Sequence, residues 1–154
     1  MYVNSPYGQV IALDATTGKE KWRYDLPQHE AISEHGSAYW PGGEGAPPSI
    51  IFGTMKGQLI SIRASDGKPN EAFGDHGIVN MKTPEVMQTG PDGLYLLPSA
   101  PVIYKNRVIT GAGSGEGPGG SRGGYGPACA SRFWDAKTGK LLWTFDPVPK
   151  PGQP

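Results

Sequence analysis

The chain has 154 residues, enough for about one ordinary domain, and its 14 basic and 14 acidic side chains cancel to zero formal charge. With no basic excess and no basic run, the sequence points to neither nucleic acid nor an anionic membrane surface as a partner. Its 24 Gly and 16 Pro approach the composition of disordered chains, but seven Tyr, four Trp, four Phe and several β-branched runs supply a core, so the composition predicts a loop-rich all-β protein.

In chain order, MYVN (1–4) reads as a strand and SPYG as a turn. VIALD (10–14) is the next strand, ATTGK (15–19) a turn and EKWRY (20–24) the returning strand. SIIFGT (49–54), the turn MKG and LISIR (59–63) repeat the pattern, followed by the turn ASDGK (64–68). PVIYKN (101–106) and RVITGA (107–112) lead to SRFWD (131–135), the turn AKTGK (136–140) and LLWTF (141–145). Gly18, Gly67 and Gly139 fall where such turns need a positive φ. Gly and Pro interrupt every helical candidate, so no helix is expected.

Three stretches are copies of one unit: GQVIALDATTGKEKW (8–22), GQLISIRASDGKPNE (57–71) and CASRFWDAKTGKLLW (129–143). Asp14, Gly18 and Trp22 share their spacing with Asp135, Gly139 and Trp143. The middle copy has Arg63 and Glu71 at two of these places, and its aromatic, Phe73, comes two residues late. Strand repeats with a spacing of roughly 40–70 residues mark propeller blades rather than helical solenoids. The sequence therefore predicts one incomplete propeller domain over 1–154. Blades are expected around 1–26, 37–75 and 95–146, as two nearly complete four-strand sheets and most of a third. Trp22 and Trp143 are expected to pack between neighbouring sheets.

The N-terminal stretch has neither the basic head nor the apolar run of a secretory signal, and PVPKPGQP closes the chain as a proline-rich connection; both ends are expected to cut through a longer fold. Cys129 is the only cysteine, which excludes an internal disulfide and reads as a small buried apolar group. No run approaches the roughly 20 apolar residues of a membrane span. His29 and His76 read as surface-loop residues without metal-type spacing, while His35 stands between a cofactor contact and a loop residue. Glu116 lies in GAGSGEGPGGSRGGYGP (111–127), which by composition alone is an acid in a solvated glycine loop. GEGPGG also satisfies G-x-G-x-x-G, but Pro118 and the continuation SRGGYGP leave no helix N-terminus to hold a pyrophosphate.

The repeat has company. SAYWPG (37–42), IIFGTMKGQLISI (50–62), AFGDHGIV (72–79), SAPVIYKNRVITGAG (99–113) and FWDAKTGKLLWTFDPVPKPG (133–152) occur in this order. Together they resemble the pyrroloquinoline quinone (PQQ)-dependent alcohol and sugar dehydrogenases, over essentially the whole chain. The resemblance implies an eight-bladed propeller, of which this chain is about three blades, in a periplasmic enzyme. Such an enzyme oxidises an alcohol, polyol or sugar and passes electrons to a cytochrome or ubiquinone. It further implies that Val108-Ile109-Thr110-Gly111 runs into a small-residue wall against PQQ, Gly113-Ser114-Gly115, ending in Glu116 as a ligand of Ca²⁺ or a lanthanide. The residue types suit that chemistry: glycine lets backbone approach a flat ring system, and a hard cation takes carboxylate oxygen.

Departures from the family are equally specific. His35 stands where an Arg that contacts the quinone oxygens precedes the glycine, and a His gives no bidentate contact. HEAISEH carries no adjacent cysteines, Pro98 replaces a cofactor-holding Ser or Thr with Ser99 beside it, and the glycine run to Gly126 is long. The base, the other metal ligands and the stacking Trp of the family belong to later blades, so the chain alone is expected to be inactive. The competing reading is a non-catalytic propeller scaffold, as in outer-membrane assembly, or a degenerate copy. GSAYWPG and Gly-Ser-Gly-Glu favour the enzyme, whereas His35 and Pro98 favour the scaffold.

Overall fold

The computed structural model describes residues 1–27, 30–33, 35–43, 45–87, 95–111 and 130–147. Three antiparallel sheets follow one another along the chain. The first holds β1 (Tyr2–Ser5), β2 (Gln9–Leu13) and β3 (Glu20–Asp25). The second holds β4 (Ala38–Trp40), β5 (Ser49–Gly53), β6 (Gln58–Arg63) and β7 (Ile78–Asn80). The third holds β8 (Val102–Tyr104), β9 (Arg107–Thr110), β10 (Ser131–Asp135) and β11 (Leu141–Phe145). Each strand pairs with its sequence neighbour, the up-and-down order of propeller blades. Among the described residues, one helical turn, α1 (Pro84–Met87), departs from the helix-free expectation.

The repeated aspartate has a local purpose. Asp14 Oδ1 accepts from the Thr16 and Thr17 amides and from the Thr17 hydroxyl, closing the turn between β2 and β3. Asp135 does the same with Lys137 and Thr138 between β10 and β11. Where the middle copy has Arg63, the acid moves to Asp66, which takes a two-pronged contact from Arg63 at 3.0 and 2.7 Å and the Lys68 amide. In all three turns the glycine keeps a φ of 70 or 71°.

The middle sheet is covered on both faces, which is why SIIFG is apolar without alternation. Ile50, Phe52, Ile60 and Ile62 pack with Val10, Leu26 and Ile32 toward the first sheet. Ile51 and Leu59 pack with Phe73, Val108 and Trp134 toward the third. Each such side chain contributes about 1.5–3 kcal/mol on burial.

The second sheet runs past residue 75, the boundary expected from the sequence, because residues 69–77 detour before β7. Asn70 anchors the detour, its amide donating to the Ser49 and Ser61 hydroxyls at 2.7 and 2.8 Å. Phe73, two residues late in sequence, ends fully buried between the second and third sheets. Trp22 packs between sheets as expected: its indole N–H donates to the Ala64 carbonyl of the second sheet at 3.1 Å. Trp143 does not. It stacks on Phe133 of its own sheet, 3.7 Å between centroids, and remains 50% exposed, because no described strand follows β11.

Candidate functional site at one end of the second and third sheets

The inner edge of the assembly is formed by β4 and β8, the first strands of their sheets, which contact each other. Antiparallel pairing puts the start of β4 at the end of β5 (Ala38 opposite Ile51) and the start of β8 at the end of β9 (Val102 opposite Ile109). His35 leads into β4, Ser99 leads into β8, and Thr110-Gly111 ends β9. All three therefore occupy corresponding ends of adjacent sheets.

Three chain segments meet at that end. The Ser33 amide donates to the Gly53 carbonyl at 3.0 Å, and the Leu97 amide to the Thr54 carbonyl at 3.3 Å. Gly53 is glycine for a steric reason: a β-carbon there would stand 2.5 Å from Leu97 Cβ. Ser33, almost fully buried, donates its hydroxyl to the Pro98 carbonyl at 2.5 Å. Pro98 thus has a structural task through its carbonyl. This bond fixes the segment bearing His35 against the segment bearing Ser99. Both His35 and Ser99 are exposed. Gly36 follows with a φ of 97° and open space where a side chain would stand.

A second link ties Val86 and Tyr95 to Arg132 on β10. Arg132 is fully buried on β10, directly opposite Thr110. Its guanidinium donates to the Tyr95 hydroxyl at 3.1 Å and to the carbonyls of Val86 at 2.6 Å and Ala130 at 3.4 Å, and it lies over the Tyr95 ring. Desolvation raises the Tyr95 pKa, which keeps the phenol protonated beside this cation. Thr110 in turn accepts from the Trp134 indole at 2.9 Å. Thr110 and Arg132, on facing strands, are thus both held by buried polar contacts.

Gly113, Ser114, Gly115, Glu116, Cys129 and His29 lie outside the described residues. Among the described residues no group of three His, Cys, Asp or Glu side chains is placed to hold a metal. His76 is a surface residue, as expected, at a φ of 47°, with Nδ1 2.5 Å from Glu71 Oε2. Sequence reasoning missed Ser33, Tyr95 and Arg132. The alternation of SRFWD carried a signal for the last: Arg132 shares a strand face with Trp134, so a charge had to point inward.

A family model described as the PQQ-dependent glucose/ethanol/alcohol dehydrogenase β-propeller domain matches residues 1–154. The chain belongs to this family. It is 34% identical to the quinoprotein glucose dehydrogenase of Escherichia coli over 97% of this chain and 20% of that protein. It is 35% identical to the dehydrogenase subunit of the quinone-linked alcohol dehydrogenase of Gluconobacter oxydans, over 98% of this chain and 18% of that protein. The chain thus spans about a fifth of the length of these relatives. The crystal structure of the quinohemoprotein alcohol dehydrogenase of Comamonas testosteroni superposes with a TM-score of 0.69 at 28% identity, covering 99% of this chain and 20% of that one. A europium-containing methanol dehydrogenase superposes at 0.62 with 25% identity, over 93% of this chain and 22% of that one. BamB of Moraxella catarrhalis shares the fold at 0.57, with 18% identity, over 94% of this chain and 32% of that one. The three sheets are accordingly part of a β-propeller.

Proposed function

We propose that the intact protein containing this chain is a PQQ-dependent dehydrogenase that oxidises an alcohol, polyol or sugar. Its electrons pass to a cytochrome or ubiquinone, and it works in the periplasm. The observation that carries this reading is the convergence of His35, Ser99 and Gly111 at corresponding ends of adjacent sheets, pinned by the Ser33–Pro98 hydrogen bond.

The described residues fit a flat, polar-edged cofactor. Gly36 leaves the rim open, and His35 and Ser99 stand exposed as polar groups beside it. When bound, PQQ supplies a two-electron acceptor for the alcohol carbon. The residues of this chain have supporting tasks. The His35 imidazole and Ser99 hydroxyl would hydrogen-bond the cofactor edge, and the small residues Gly113, Ser114 and Gly115 would allow close approach of backbone. Glu116 would contribute carboxylate oxygen to Ca²⁺ or a lanthanide, which would supply Lewis-acid chemistry there. The named activities of the relatives, glucose and alcohol oxidation, support the substrate class.

The test is reconstitution of the intact protein. With PQQ and Ca²⁺ it should develop bound-quinone absorbance and reduce an artificial dye when an alcohol or sugar is supplied. Folded protein that neither binds PQQ nor reduces dye with any alcohol, polyol or sugar would instead be a propeller scaffold.

A further inference from the structure

Two arms carry the exposed polar groups of the candidate site, and they are anchored in different cores. Ile32, on the arm that leads to His35, packs with Val10 and Phe52 toward the first sheet. Leu97, on the arm that leads to Ser99, packs with Phe73 and Trp134 toward the third. Apolar burial is non-directional, so it sets the distance between the arms only loosely. Hydrogen bonds set it more tightly.

The end of β5 supplies the first set of bonds. The Ser33 amide donates to the Gly53 carbonyl, and the Ala31 carbonyl accepts from the Met55 amide, both at 3.0 Å. The Leu97 amide fastens the other arm to the Thr54 carbonyl at 3.3 Å. The Ser33 hydroxyl, 1% exposed, then joins the two arms directly by donating to the Pro98 carbonyl. Without that hydroxyl the arm to His35 still has two backbone bonds to the β5 end. The arm to Ser99 is left with the longer bond at Leu97.

Short side chains make this placement matter. Ser99 has one rotatable bond ahead of its hydroxyl oxygen, and His35 has two ahead of its ring. Neither can follow a displaced backbone. A hydrogen bond to a rigid planar ligand leaves its range of about 2.7–3.2 Å when the donor moves by roughly 1 Å. We propose that Ser33 is a positioning residue for the cofactor edge: it holds Ser99 in place relative to His35 without touching the cofactor. This role rests on the PQQ reading above.

The experiment compares wild type, Ser33→Ala and Ser33→Thr in the intact protein. PQQ is titrated at constant Ca²⁺ and followed by bound-quinone absorbance, and hydrogen exchange is measured on the cofactor-free protein. A cleft of ≈ 270 Å³ adjoins Ser33, so the added methyl of Thr has room. Ser33→Ala should weaken PQQ by about tenfold, and Ser33→Thr, which retains the hydroxyl, should stay near wild type. In the cofactor-free protein Ser33→Ala should speed exchange in peptides covering 97–102 more than in those covering 31–33. A Ser99→Ala background separates positioning from general stability. There Ser33→Ala should cost little further affinity, since the group it places is gone. Equal affinity of Ser33→Ala and wild type, no recovery in Ser33→Thr, or the same loss in both backgrounds would overturn the role alone. A folded wild type that binds no PQQ would overturn the dehydrogenase reading and the role with it.

Discussion

The indole of Trp22 covers Gly67 so closely that a β-carbon on Gly67 would stand 2.6 Å from Trp22 Cε3. An outer-strand aromatic of the first sheet thereby docks onto the turn glycine of the second. The relation recurs one sheet on: a β-carbon on Gly139 would meet Val79 at 2.5 Å and the Phe73 ring at 3.2 Å. Two different aromatics, at different offsets in sequence, reach equivalent glycines.

This contact separates packing from backbone strain. Gly18 and Gly67 share a φ of 71°, but a side chain on Gly18 meets nothing within 4 Å. Gly18→Ala should cost only the left-handed penalty, about 1–2 kcal/mol. Gly67→Ala should cost about 1–3 kcal/mol more, from overpacking against Trp22. Denaturant midpoints of the two variants check this, and equal losses would remove the indole from the explanation.

The same rule speaks to Trp143. It is half-exposed here, and in the intact protein a following sheet should present a glycine turn beneath it. Acrylamide should quench Trp143 freely in the 154-residue chain and poorly in the intact protein. Equal quenching in both would confine the docking rule to the first two junctions.

Arg132 carries a testable share of stability. Arg132→Met should leave the Tyr95 hydroxyl and the Val86 carbonyl each without the donor they accept from, at a cost of roughly 1–3 kcal/mol for each buried group. Tyr95→Phe removes a single hydrogen bond and should cost about 1 kcal/mol. Chemical denaturation of both variants gives the order, and a milder loss in Arg132→Met than in Tyr95→Phe contradicts the contacts described.

How much of this was legible beforehand depends on the range of the interaction. The turns could be read because Asp14, Thr17 and Gly18 act within five residues, and the strands because VIALD and SIIFG carry their own pattern. The detour before β7 could not, since Asn70 finds Ser49 and Ser61 only after the sheet has formed. Trp143 copies the spacing of Trp22 but lacks a described sheet to cover it. At the candidate site, the sequence shows His35 and Ser99 only as residue types beside a familiar pattern. The Ser33–Pro98 bond, across 65 residues, has no local signature. Pro98 could be read in the sequence only by its side chain; the structural use of its carbonyl appears once Ser33 has been brought beside it.

The turn carboxylates predict a pH response. The Thr17 amide, then Lys21 and the Thr16 amide, hold the Asp14 pKa down from 3.8 to about 2. A depressed carboxyl pKa adds stability that is present above the unfolded value and is lost as pH falls from 3.8 toward 2. Because the largest cause is a backbone amide, Lys21→Met should recover only part of the shift in a carboxyl NMR titration. Full return to 3.8 in that variant would show that Lys21, not the turn, sets the value.

The most direct measurement of the central claim is a Ca²⁺ titration of the intact protein, wild type against Glu116→Gln, followed by bound-quinone absorbance in the presence of PQQ. The substitution keeps shape and removes the negative charge that a divalent ion requires. The account predicts Ca²⁺ affinity lower by at least tenfold in Glu116→Gln, with an unchanged thermal midpoint of the metal-free protein. Unchanged Ca²⁺ affinity and unchanged quinone absorbance would place Glu116 in a solvated loop and contradict it.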